Sequence, residues 1–169
     1  MTTTWKELAY AYLLKQDYLA VANHYEEALE IEPENYDYYW HLGLAYLLQE
    51  QEEEAQSTWL FAMTQGIEEE ADELIQELVE ILSTEAQRQE SLEDYQRSWL
   101  IRGHIREIAP NLINNLLKLT ELEINLKIFT PGKLNDWQVI ELLQQSPESS
   151  VDSDLLLEVL KKSFRIFSS

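Results

Sequence analysis

Cysteine is missing from the 169 residues, which removes disulfides and thiolate metal sites from consideration. Glycine is nearly as scarce. Gly43, Gly66, Gly103 and Gly132 each stand alone, so neither a phosphate-cradling loop nor a dinucleotide fingerprint can be assembled. His24, His41 and His104 lie far apart, none follows a glutamate by three positions, and no His-Glu-x-x-His run occurs. The usual helical metal motifs are absent with them, and neither a metal nor a cofactor is expected. No apolar run approaches the roughly 18 residues of a membrane span. The opening Met1-Thr-Thr-Thr-Trp5 lacks the basic stretch and apolar run of a signal peptide. A membrane is not an expected partner, and the cytoplasm is the expected setting.

Basic residues are the last shortage. Lys and Arg total 12 against 32 Asp and Glu, a net charge of −20. The imbalance is concentrated: residues 1–87 hold 20 acids and only Lys6 and Lys15 as bases, or −18, whereas residues 88–169 hold 12 acids and 10 bases. Such a field repels phosphate backbones, so nucleic acid is not an expected partner. It speeds encounter with a cationic peptide, and it also keeps a sticky helical surface in solution. Glu52-Glu-Glu54 and Glu68-Glu-Glu70 fall where helices start, which negative charge favours without any active site. Among so many carboxylates no catalytic pair stands out, and the segment is not expected to be an enzyme.

What the chain has is helical punctuation. Thr4 with Glu7 forms a capping box before a helix expected over about 5–15. Asp17 caps a second over about 18–31, which Pro33 closes. Further helices are expected over about 36–49, over 52–65 (ended by Gly66 as a C-cap), over 68–89 and over 92–108 (stopped before Pro110). A seventh is expected over 112–128. After Thr130-Pro-Gly132 two more are expected, over 134–145 and 153–167. No stretch alternates long enough to argue a strand. The fold class is all-α, with about nine helices.

A side-chain pattern recurs along these helices. Trp5, Leu8, Ala9, Tyr12, Tyr18, Tyr25, Ala28 and Pro33 are answered by Tyr39, Leu42, Gly43, Tyr46, Ala55, Trp59 and Ala62, with 34 positions between counterparts such as Leu8 and Leu42. This pattern resembles the tetratricopeptide repeat. The resemblance implies a right-handed superhelical stack of antiparallel helical hairpins. It implies two clear repeats in 1–69, degenerate hairpins in 70–146 and a C-terminal capping helix in 147–169. Small residues (Ala9, Ala28, Gly43, Ala55, Ala62) would let paired helices approach closely. Trp5, Tyr12, Tyr25, Tyr46 and Trp59 would fill the core, with Trp99 beside them. Val21, Gln16 and Ile67 depart mildly from the family. A third unit ending at Pro110 keeps Leu82, Ala86 and Tyr95, but has Arg102 and Ile105 in place of the aromatic and alanine, and needs about nine inserted residues, 70–78.

In that family the first helix of each hairpin lines an inner wall that holds a peptide or a partner helix. Carried over, the wall comprises Lys6, Tyr10 and Leu13, then Asp37, Trp40, His41 and Leu44. It is aromatic and apolar, which suits recognition and does not suit the family's Lys/Arg/Asn clamp for a terminal carboxylate. The alternative is that Tyr10, Trp40 and Leu44 pack against a neighbouring helix or a second copy of the chain. Leu8-Ala-Tyr-Ala-Tyr12, His41-Leu-Gly-Leu-Ala-Tyr46 and Trp99-Leu-Ile-Arg-Gly-His-Ile-Arg-Glu-Ile-Ala-Pro110 also resemble the N-terminal repeat region of cyanobacterial multidomain proteins. In those, a glycosyltransferase of the O-GlcNAc transferase/SPINDLY type or a methyltransferase follows. The expected function is a non-catalytic interaction module for a protein or peptide. Self-association as a homodimer is the alternative. A small-ligand site would need a deep pocket with convergent polar groups.

Overall fold

The structure, a computed structural model, describes residues 4–126. Among them are seven α-helices and no strand: α1 (Trp5–Leu14), α2 (Tyr18–Ile31), α3 (Tyr36–Leu48), α4 (Glu52–Gln65), α5 (Ala71–Ser91), α6 (Tyr95–Ile108) and α7 (Ile113–Asn125). A 3-10 turn, Glu68–Glu70, leads into α5. The helices expected over 134–145 and 153–167, and the capping role given to 147–169, lie outside the described residues. The chain divides into two compact units, one ending at Ile81 and the other beginning at Leu82.

Local chemistry sets the helix starts. The Thr4 hydroxyl accepts from the Glu7 N–H at 3.2 Å, and the Thr4 N–H donates to the Glu7 carboxylate at 2.9 Å. Asp17 and Asp94 accept from the N–H groups of Ala20 and Arg97, both at 3.1 Å. Each side chain satisfies a donor that the first helical turn leaves unpaired.

One turn is built three times. Gln16, Glu50 and Glu93 all adopt positive φ, at 58°, 64° and 60°. Their N–H groups donate to carbonyls three residues back, those of Leu13, Leu47 and Glu90. The next N–H in each case reaches five residues back: Asp17 to Tyr12, Gln51 to Tyr46, Asp94 to Gln89. This double closure is the Schellman arrangement at a helix C-terminus. The first two turns are 34 positions apart and the next two 43, a difference of the same size as the insertion expected at 70–78. Two of the helices that follow, α2 and α6, also end alike. Glu32 and Ala109, each before a proline, donate to Ala28 and Ile105 at 2.9 and 2.7 Å, because the proline ring expels its predecessor from the α region. The described chain is thus three helical hairpins (α1–α2, α3–α4, α5–α6) and a seventh helix. Consecutive helices pack together, α1 through α4 in the first unit and α6 with α7 in the second, which fits a helical repeat.

Gly66 departs from its expected role. Its φ of −77° is not left-handed. What it supplies is space, since a Cβ there would come within 2.8 Å of Leu74 Cδ1. Close approach is tighter still at Gly43, where a Cβ would lie 2.6 Å from two carbons of the Trp59 indole. The Trp59 Nε1–H, laid over that glycine, donates to the Trp40 carbonyl at 3.2 Å. Ala9, Ala22, Ala28 and Ala45 let Tyr25 nest in the same way in the neighbouring layer.

Tyr12 is a correction. Expected in the core, it is 36% exposed: α1 buries Ala9 alone, and the Tyr12 ring meets α2 at His24, 6.2 Å between centroids. Its counterpart Tyr46 is half-buried, with its hydroxyl donating to Glu26 of the preceding hairpin. In the second unit the position that answers to Tyr25 and Trp59 carries charge instead. Arg102 is 4% exposed, and its guanidinium donates to Glu90 at 2.7 Å and to the Asn115 side chain at 3.2 Å. Asn115 in turn donates to the Arg102 carbonyl at 3.1 Å, and Ser98 donates to Glu90 at 2.8 Å. Every one of these bonds joins different helices, α5 to α6 or α6 to α7.

Candidate functional site

A cleft of about 360 Å³ opens between α1, α2 and α3. Its floor and walls are apolar: Ala9 and Leu13 from α1, Val21 and Tyr25 from α2, and Leu44, Ala45 and Leu48 from α3. Lys6, Glu7, Tyr10 and His41 complete the lining and supply its polar atoms. The depth follows from residue size. Ala9 and Ala45 leave room that larger side chains would fill, and the short span of the first Schellman turn holds α1 against α2.

The structure brings five of the seven expected wall residues, Lys6, Tyr10, Leu13, His41 and Leu44, to this one cleft. Tyr10 is 56% exposed, whereas Leu44 is 5% exposed and forms a buried part of the wall. Asp37 stands beside the cleft, bonded to two residues that line it: Lys6 Nζ at 3.0 Å and His41 Nε2 at 3.6 Å. Trp40 is placed elsewhere. It is fully buried at 0% exposure, its Nε1–H donates to Glu77 at 3.4 Å, and its ring stacks on Tyr36 with centroids 6.2 Å apart. It faces α4 and α5 as a packing residue, so the recognition role expected for it is corrected.

Six lining residues were not expected in the wall: Glu7, Ala9, Val21, Tyr25, Ala45 and Leu48. Tyr25 was expected in the core and is buried, yet it also walls the cleft. The His41 ring stacks flat on it, with centroids 5.1 Å apart and 6° between planes. Burial, then the charge of Asp37, raises the Tyr25 phenol above its ordinary range, so it stays neutral. Val21 and Tyr25 come from α2, whose small residues Ala22 and Ala28 mark the side that packs closely.

The remaining histidines serve packing. His24 Nε2 donates to the Trp5 carbonyl at 3.0 Å, with its ring 4.5 Å from the Trp5 ring. His104 is buried, with Nδ1 4.0 Å from Glu107. Among the described residues no group of three His, Asp or Glu side chains could hold a metal ion, and no helix is long and apolar enough to cross a membrane. The cleft gathers no nucleophile–base pair. What it can do is take apolar side chains out of water, with Lys6, Glu7, Tyr10 and His41 in the lining to meet polar groups of the ligand. No protein-family model matches the chain, and no curated protein matches it.

Proposed function

We propose that the chain is a non-catalytic protein-interaction module of the tetratricopeptide kind, a right-handed stack of hairpins that holds a peptide or partner helix. The observation that carries this reading is the largely apolar cleft of about 360 Å³ walled by α1, α2 and α3, with Lys6, Glu7, Tyr10 and His41 also in its lining. That volume lies at the lower end of the roughly 300–1,000 Å³ typical of ligand pockets and suits one or two anchoring side chains. Panning a displayed library of random peptides on the chain tests it. Binders are expected to lose about 30-fold in affinity on Leu13→Asp, the effect of removing a buried anchor, and to be indifferent to Leu60→Asp on α4. Binders that respond the other way round would defeat the proposal.

A second reading is self-association, favoured by the exposure of Tyr10 and Leu14 on one helix. Light scattering decides between them. A monomer across concentrations is expected, and a dimer abolished by Tyr10→Ala would give the cleft to a second copy instead.

A further inference from the structure

The ion pair beside the cleft has an unusual cation. Lys6 and Lys15 are the only basic residues in 1–81. Lys6 occupies the first turn of α1, where the helix dipole disfavours positive charge, and its side chain is 62% exposed. Among the described residues its one ionic partner is Asp37, which sits in the first turn of α3, where negative charge is favoured. The carboxylate is therefore the fixed member of the pair, and the ammonium is a visitor on a flexible stem. Exposed pairs of this kind are weak. A guanidinium can engage a carboxylate through two parallel N–H bonds, which an ammonium cannot.

Resting on the peptide-binding reading of the cleft, we propose that Asp37 is a cation subsite. Its ligand is a peptide carrying an arginine next to an apolar anchor, and Lys6 is a resident competitor that the ligand's arginine displaces. The acidic field of residues 1–87 brings such a ligand in. The apolar side chain enters the cleft, and the arginine replaces the ammonium on Asp37. Lys6 thus weakens binding, although it lines the very site it weakens.

The test uses three labelled peptides followed by fluorescence anisotropy: a basic amphipathic one of Leu, Ala and Arg, a twin with Glu for Arg, and a twin with Ser for Leu. Only the first is expected to bind. Lys6→Met, which keeps the apolar stem, and Lys6→Ala are both expected to bind it tighter, by up to about five-fold, the ceiling an exposed ion pair sets. Asp37→Asn is expected to weaken binding, and in the Asp37→Asn background Lys6→Met is expected to have no effect. Lys15→Met changes the net charge equally and is expected to leave affinity where it was, while circular dichroism checks the fold of every variant. Unchanged or weaker binding by both Lys6 variants, or equal tightening by Lys15→Met, overturns the subsite while Leu13→Asp still abolishes binding. Indifference to Leu13→Asp, or no binding by any peptide, overturns the cleft reading itself.

Discussion

Gly43 and Gly103 both sit inside helices, yet alanine is expected to move stability in opposite directions at the two sites. At Gly43 the added methyl would collide with the Trp59 indole, and overpacking of this kind costs about 1–3 kcal/mol. At Gly103 a Cβ would meet nothing within 4 Å, so only helix propensity changes and the chain gains about 1 kcal/mol. Thermal unfolding of both variants checks the pair of signs. Tyr46 offers a pH test at the same scale. Burial, the hydrogen bond to Glu26 and the charges of Glu26 and Glu54 push its phenol up to about 12 from an ordinary 10.0. The neutral form is thus favoured by folding. Its contribution is complete below pH 10 and is lost as pH rises through 12. Tyr46→Phe is expected to flatten the fall in urea midpoint between those values, and an unchanged slope would deny the shift.

The hairpin turns and their flanking helices come next in scale. Gln16, Glu50 and Glu93 hold left-handed φ without being glycine, a conformation that costs an ordinary residue about 1–2 kcal/mol. Glycine relieves that strain but loosens the unfolded chain, so each substitution is expected to stabilise by about 0.5–1 kcal/mol in urea denaturation. The α5–α6 hairpin carries the opposite risk. Glu90→Ala leaves Arg102 buried without its carboxylate, and breaking a buried pair in this way costs about 3 kcal/mol or more. Elements of this kind divided sharply in how well sequence exposed them. Caps, proline stops and the recurrence of turns were readable because they depend on neighbours within a few positions. The bonds from Arg102 to Glu90 and Asn115 span 12 and 13 positions, and nothing local announces them. Trp40 was misplaced for another reason. Helix α3 buries Tyr38, Trp40, Leu42, Leu44, Leu47 and Leu48, so it is apolar nearly all round. A helix without a polar face gives no periodic signal to say which neighbour each side chain meets. On α1, where Ala9 alone is buried, the same reading placed Lys6, Tyr10 and Leu13 together at the cleft.

For the whole molecule, charge and shape act together. Residues 1–87 carry −18, and the cleft they contain is largely apolar. The field governs how fast a cationic ligand arrives, and the apolar wall governs how long it stays. Raising salt is expected to slow association of a basic amphipathic peptide while changing its dissociation rate little, as stopped-flow fluorescence would read. Where such a peptide touches the chain is decisive. Titrating it into isotope-labelled protein and following methyl and amide shifts is the direct measurement. Shifts centred on Leu13, Leu44 and Leu48, with Tyr10 and His41 at the margin, are what the account predicts. Shifts centred instead on Leu60 and Phe61, or scattered with the acidic residues and no focus, would contradict it.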